Sequence, residues 1–238
     1  MNDPTLTVLL WAAASVAFMH TLIGVDHYLP FILIGKARNW SLRKTLGFTA
    51  LCGVGHVVGS VALGLIGVGL GVAVERLEII EGFRGSIAAW GLIAFGLIYA
   101  AISAWRAAKG KHHSHVHAHE DGTLHHHDHN HQGNHAHAHG AGDRKGMTRW
   151  ALFILFVLGP CEALIPMFMA PAYAHDWSGV ISVAAVFSVV TILTMVAAVA
   201  VGAVGLSFAP LKSMERHANT LAGLAIASSG LAIQMLGI

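Results

Sequence analysis

The sequence HTLIGVDHYLP occupies residues 20–30 and lies inside an apolar run from about residue 6 to about residue 34. A run of this length is typical of a transmembrane helix, because a hydrocarbon core of about 30 Å requires about 20 helical residues. His20, Asp26 and His27 are costly at this depth, and ionisable groups within a span usually serve a function. Gly24 and Pro30 predict that the helix is broken here.

Five further apolar runs follow along the chain. The 238 residues are 55% hydrophobic and only 11% charged, which excludes an ordinary soluble domain of this size. The runs predict an all-α polytopic membrane protein with six transmembrane helices. The predicted spans cover about residues 6–34, 45–74, 86–106, 149–173, 179–207 and 218–238.

A polar loop over residues 110–146 separates two halves of three spans, residues 1–109 and 147–238. The fourth span contains GPCEALIP at 159–166, so each half begins with a span that carries prolines and polar residues. Because three is an odd number, two equivalent halves must have opposite topology. Inverted repeats with broken helices at matching positions are typical of secondary transporters. The sequence therefore predicts two inverted three-helix repeats with broken first and fourth helices.

Lysine and arginine are distributed unevenly between the two sides of the membrane. Twelve of the fourteen lie on the side of the 110–146 loop, and only Arg76 and Arg84 lie on the other. Cytoplasmic loops carry the excess of these residues, which predicts a cytoplasmic loop and external termini in the inner membrane of a prokaryote. On the external side, Glu75, Glu78 and Glu81 are predicted to form a solvated face.

The ionisable residues and cysteines inside the spans are all competent ligands for a divalent transition metal. Cys52 and His56 are four residues apart on one face of a helix. His20 and His27 would lie about 10 Å apart along a regular helix, so they can share an ion only if the helix breaks near Gly24. The predicted ligands are His20, Asp26, His27, Cys52, His56, Cys161 and Glu162.

The 110–146 loop contains thirteen histidines and is expected to be disordered without metal. Neutral imidazoles at such density offer many ways to chelate a cation. The loop could buffer arriving ions, sense cytosolic metal or feed an export path. Its predicted accessory metal ligands are His112, His113, His115, His117, His119, His125, His126, His127, His129, His131, His135, His137 and His139.

These motifs resemble those of the nickel/cobalt permeases, a group that includes urease-accessory transmembrane proteins and related metal exporters. Members have a histidine, four residues and Asp-His in the first helix, and Gly-His in the second. This chain has five residues between His20 and Asp26-His27, and has Gly-His at Gly55-His56. The extra residue rotates His20 by about 100° on a regular helix, so its role as a ligand stays open. The GPCEALIP segment is similar to the fourth-span motif of the urease-accessory branch.

The resemblance implies a divalent-metal permease, with nickel or cobalt as cargo, zinc next, and uptake slightly favoured over efflux. Gly35-Lys36 lacks the preceding glycine of a P-loop, so we expect a secondary transporter rather than an ATPase or other enzyme. No catalytic cofactor and no nucleic-acid partner is expected, and glycine-rich faces would permit a homodimer. The alternatives are a thiol-disulfide electron carrier using Cys161, a metal exporter, and a membrane-anchored metal sensor or chaperone.

Overall fold

The computed structural model describes residues 4–108, 113–118, 124–129, 142–159, 161, 163–174, 176–207 and 217–236. Outside the 110–146 loop the described residues form helices joined by short connections. A 3₁₀ turn, Val25–His27, lies between the first two helices. The elements are α1 Pro4–Ile23, α2 Leu29–Ala37, α3 Leu42–Gly69, α4 Val74–Ala108, β1 His113–Ala118, β2 Leu124–His129, α5 Gly142–Leu158, α6 Leu164–Tyr173, α7 Trp177–Ser207 and α8 Ala218–Leu236.

Four of the helices in the described part of the chain are long and apolar enough to cross a membrane, namely α1, α3, α4 and α7. The predicted span over 149–173 is divided between α5 and α6, and each piece is shorter than a bilayer crossing. The predicted sixth span corresponds to α8, which has 19 residues and carries polar side chains near its ends, Asn219 and Gln234. Outside the 110–146 loop, the structure therefore confirms an all-helical protein with several membrane-length helices.

The outer surface of the helices is apolar. Trp11, Phe83 and Leu193 are 73%, 68% and 62% exposed, and similar side chains cover the other long helices. An apolar surface this extensive would be insoluble in water and is typical of helices that face lipid. Burial inside the protein is concentrated where three or four helices meet.

The first predicted break lies at Gly24, as expected from the sequence. The helix α1 ends there with the Gly24 amide donating to the His20 carbonyl at 3.0 Å, and Gly24 itself has an extended backbone. The chain then makes the 3₁₀ turn and enters α2, with Pro30 in its first turn. Proline fits this position because the first amides of a helix have no intrahelical acceptor. The interruption is therefore a helix end followed by a new helix start.

The second break lies between α5, which ends at Leu158, and α6, which begins at Leu164. The Gly159 amide donates to the Phe156 carbonyl at 3.1 Å, so the chain tightens into a turn as α5 ends. Both predicted broken helices are thus interrupted in the structure.

Within the histidine-rich loop the structure describes two short strands, and most of the loop that was predicted to be disordered without metal lies outside the described residues. The strands β1 and β2 pair antiparallel, and the register places His113 opposite His129, His115 opposite His127 and His117 opposite His125. Histidine alternates with Ser, Val and Ala over 113–118. Alternation with a period of two matches the geometry of a strand.

The helices α4 and α8 pack along much of their length with small residues between them. A Cβ atom added at Gly96 would lie 2.5 Å from both the Ala227 amide nitrogen and the Gly223 carbonyl oxygen. A Cβ added at Gly223 would lie 2.6 Å from the Ala100 amide nitrogen. Glycine lets two helix backbones approach this closely in a membrane.

We expect Gly96→Ala to destabilise the protein, because backbone atoms of α8 cannot yield to the new methyl group as a side chain could. Overpacking of this kind costs about 1–3 kcal/mol. The matched control is Gly47→Ala in α3, where an added Cβ has nothing within 4 Å. Thermal unfolding in detergent should show a lower midpoint for Gly96→Ala and an unchanged or higher one for Gly47→Ala. Equal midpoints would contradict this packing.

Candidate metal centre

Three imidazole rings from three different elements meet inside the helix bundle. His20 lies in the last turn of α1, His27 ends the 3₁₀ turn, and His56 lies in the middle of α3. The ring centroids of His20 and His27 are 5.0 Å apart, and those of His27 and His56 are 5.1 Å apart. One ring nitrogen from each residue lies within 4.8 Å of the other two. The break at Gly24 brings His20 and His27 together, and the extra residue does not separate them.

Hydrogen bonds determine the tautomer of two of the rings. The Nδ1 atom of His27 lies 3.0 Å from the Gly24 carbonyl oxygen, and that of His56 lies 3.3 Å from the Phe156 carbonyl oxygen. A carbonyl only accepts, so each Nδ1 carries the proton and donates it. The Nε2 atom of each ring then has a free lone pair, as in metal-binding histidines oriented by an outer hydrogen bond.

The three Nε2 atoms are buried and have no hydrogen-bond partner among the residues that the structure describes. Buried polar atoms are normally satisfied, and leaving one unsatisfied costs about 1–3 kcal/mol. Because one nitrogen of each ring lies within 4.8 Å of the other two and each Nε2 lacks a partner, the three rings form a donor set for a divalent cation. Around one ion with nitrogen bonds of about 2.0–2.1 Å, neighbouring donors lie about 3–3.6 Å apart, so the rings must close by about 1 Å to bind.

Asp26 contacts the His27 ring and also lines the cavity beside the three histidines. Its Oδ1 atom lies 3.3 Å from the Nδ1 atom of His27, on the side of the ring that donates to the Gly24 carbonyl. A carboxylate in this position orients the imidazole and makes it a stronger ligand. The predicted ligand Asp26 thus lies next to His27, another predicted ligand. There the negative charge of the carboxylate would also offset the positive charge of a bound cation.

A cavity of about 210 Å³ adjoins the three histidines. Its other walls include Asp26 and both small and large apolar residues, among them Gly85, Ala88 and Leu92 of α4 and Gly159 at the second break. At about 30 Å³ per water molecule, this space has room for a partly hydrated ion. Three protein nitrogens leave further coordination positions open for water, as in exchangeable metal sites.

At each break a glycine lies against the Nδ1 side of a predicted ligand, Gly24 against His27 and Gly159 against His56. A Cβ added at Gly24 would lie 2.5 Å from His27 Nδ1 and 3.0 Å from Asp26 Oδ1. A Cβ added at Gly159 would lie 3.2 Å from His56 Nδ1. The glycines therefore leave the space in which the carbonyl–imidazole hydrogen bonds form.

Neither cysteine joins this cluster in the part of the chain that the structure describes. Cys52 is buried in an apolar cluster with Phe31 and Met195, although it shares a helix face with His56. Cys161 is buried in a different apolar cluster, and both thiols are free. Glu162 lies outside the described residues.

The loop histidines are only partly described. Seven lie on the strands, at positions 113, 115, 117, 125, 126, 127 and 129. The remaining six, His112, His119, His131, His135, His137 and His139, lie outside the described residues.

Sequence reasoning assigned Glu81 wrongly to a solvated outer face. Its side chain is fully buried and forms an ion pair with Arg84 of the same helix. The spacing of three residues was a signal for this pair, because such residues are neighbours on a helix. Glu75 and Glu78 are exposed, as predicted.

Comparison with protein-family models, curated proteins and solved structures finds no match. The likeness to nickel/cobalt permeases therefore rests on the short motifs around His20, Asp26-His27 and Gly55-His56.

We expect Gly24→Ala to weaken metal binding, because its methyl group would displace the His27 ring from the Gly24 carbonyl. Loss of such an outer hydrogen bond typically lowers metal affinity about 10- to 100-fold. The measurement is a Co²⁺ titration, followed by visible absorption, of protein from which residues 111–142 have been deleted to remove loop binding. Gly47→Ala, in open space on α3, is the control. Wild-type affinity in folded Gly24→Ala protein would contradict the assignment of His27.

Proposed function

We propose that the protein is a secondary permease for a divalent transition-metal ion, with nickel or cobalt as the preferred cargo and zinc next. The observation that carries this proposal is the convergence of three buried, unpaired Nε2 atoms inside a helix bundle with an apolar outer surface. A metal site in the interior of membrane helices serves passage of the ion better than storage or structure, because His20 and His27 lie at one helix interruption and His56 is hydrogen-bonded to the end of α5 at the other.

The donor set supports the choice of cargo. Three imidazoles suit nickel, cobalt and zinc, whereas soft ions such as Cu(I) prefer thiolate or thioether ligands. Among the described residues neither cysteine belongs to the cluster. The motif resemblance favours nickel and cobalt over zinc.

Helix contacts support two inverted repeats of three spans, with α5 and α6 together as the fourth span and α8 as the sixth. If the second half repeats the first, α1, α2, α3 and α4 correspond to α5, α6, α7 and α8. The contact of α1 with α7 then matches that of α5 with α3, and the contact of α2 with α8 matches that of α6 with α4. The contact of α2 with α7 matches that of α6 with α3. Such exchange of partners is what a pseudo-twofold axis between the halves produces.

Charge distribution supports an orientation with external termini and a cytoplasmic loop. Since Arg84 is engaged in an ion pair within α4, Arg76 is the remaining basic residue of the external side, against twelve on the other.

In the inner membrane of a prokaryote the potential, negative inside, would drive a divalent cation inwards. Two charges gain about 4.6 kcal/mol at about 100 mV, which corresponds to about a thousandfold accumulation. We propose uptake, with the loop histidines receiving ions on the cytoplasmic side.

The thiol-disulfide carrier lacks a supporting observation in the described residues. Such a carrier needs two cysteines that can approach each other, whereas Cys52 and Cys161 lie in separate apolar clusters. The three converging imidazoles would have no role in electron transfer between thiols. Metal permeation accounts for the histidine cluster.

We expect purified protein in liposomes to carry Co²⁺ or Ni²⁺ to a trapped dye, and His56→Ala to abolish that flux. Loss of one of three ligands leaves only two imidazoles to hold the ion in place of its hydration water. Ranking the initial rates for Ni²⁺, Co²⁺ and Zn²⁺ identifies the preferred cargo.

The matched control is His217→Ala, which removes an exposed histidine before α8 and should leave flux unchanged. Equal flux from His56→Ala and wild-type protein would rule out passage through the centre. Absence of flux from folded wild-type protein for all three ions would overturn the permease.

A further inference from the structure

A buried ion pair lies beside the metal centre without being part of it. The carboxylate of Glu81 is fully buried, and Arg84 Nη1 donates to its Oε1 atom. Ser60 of α3 donates its hydroxyl to Glu81 Oε2 at 3.4 Å. Moving a charged pair from water into an apolar protein interior is costly. The other hydrogen bonds of the two side chains therefore indicate which groups the pair stabilises.

Those hydrogen bonds reach the second helix break. Arg84 Nη2 donates to the Val157 carbonyl at 3.0 Å and to the Gly159 carbonyl at 3.5 Å. On the other side of the break, the Cys161 amide donates to Glu81 Oε2 at 3.1 Å. Backbone groups at interrupted helix ends lack intrahelical partners, and inside a membrane they must find others. The pair therefore supplies both a donor to the end of α5 and an acceptor to the chain that follows.

The same segment orients a ligand of the proposed metal centre. The Phe156 carbonyl, one residue before Val157, accepts the Nδ1 proton of His56 and also the Gly159 amide proton. Gly85, next to Arg84 along α4, lines the cavity of the three histidines. A displacement of residues 157–161 would thus move the carbonyl on which the His56 ring depends.

We infer that Glu81 and Arg84 are positioning residues for cargo binding. Their ion pair fixes the backbone at the second break and through it the direction of His56 Nε2. This inference rests on the proposed permease, because the ring it positions is a ligand there. The first break needs no such pair, since Gly24 and Asp26 lie within the same turn as the histidine they hold.

A positioning role differs from a purely structural one in the kinetic constant that it changes. Loss of stability lowers the number of active molecules and so the maximal rate of transport. Misdirection of a ligand weakens binding of the ion and raises the KM for cargo in molecules that remain folded. Measuring KM and the maximal rate separately therefore distinguishes the two roles.

The test is the initial rate of Co²⁺ uptake into liposomes, over a range of concentrations, for the full chain. The main variant is Glu81→Gln/Arg84→Met, which removes both charges and so leaves no unpaired ion in the interior. We expect its KM to rise about tenfold or more, as for lost outer hydrogen bonds at metal sites. Arg84→Lys keeps the charge and loses the fork that reaches two carbonyls and a carboxylate, and should show a smaller rise in the same direction.

The control is Glu78→Gln, which removes an exposed carboxylate from the same helix and should keep the wild-type KM. A wild-type KM with a reduced maximal rate in the double variant would overturn the positioning role and leave the permease intact. If the double variant yields no folded protein, Arg84→Lys decides by the same criterion. No Co²⁺, Ni²⁺ or Zn²⁺ flux in the wild type would overturn the permease and this inference together.

Discussion

A histidine buried among membrane helices needs an acceptor for its Nδ1 proton, and here that acceptor is a backbone carbonyl at a helix interruption. In an unbroken α-helix every interior carbonyl accepts from the amide four residues later. Here the carbonyls come from two interruptions. Gly24 supplies one to His27 and Phe156 supplies one to His56. These two bonds leave the Nε2 lone pairs facing the same space, and the proposed metal chemistry depends on that orientation.

The cost of interrupting a helix in lipid explains much of the surrounding structure. Each break exposes amides and carbonyls that lipid cannot satisfy. At the first break the 3₁₀ turn and the His27 ring meet that demand locally. At the second break the demand is met from another helix, by Glu81 and Arg84. The two breaks thus use different solutions for the same physical problem, although the proposed repeat places them at matching positions in the two halves.

Much of the fold was readable from the sequence, because apolar runs of membrane length and helix-breaking residues are local signals. The break near Gly24 and the proximity of His20 and His27 that follows from it are of this kind. The spacing of the first-helix motif alone left His20 open, since a rotation counted on a regular helix does not apply across a break. Sharing a helix face does not by itself bring two side chains into one site. Cys52 shares a face with His56 but packs against residues of α2, α5 and α7. The position of the Asp26 carboxylate relative to the His27 ring depends on backbone geometry, which residue spacing does not encode.

The burial of Glu81 depends on partners from other parts of the chain. Ser60 lies in α3, and the Cys161 amide lies at the second break. No local sequence pattern around residue 81 predicts these two partners. Likewise the close approach of α4 and α8 depends on glycines that could equally have faced lipid. Long-range pairing of this kind is visible only once the helices have been placed.

Anomalous diffraction at the cobalt absorption edge, on crystals grown with Co²⁺, tests the central claim most directly. The account predicts a peak among the Nε2 atoms of His20, His27 and His56, at about 2.1 Å from each after the rings have closed. Cobalt density at either cysteine or on the histidine-rich loop, with the space among the three rings empty at saturating Co²⁺, would contradict it.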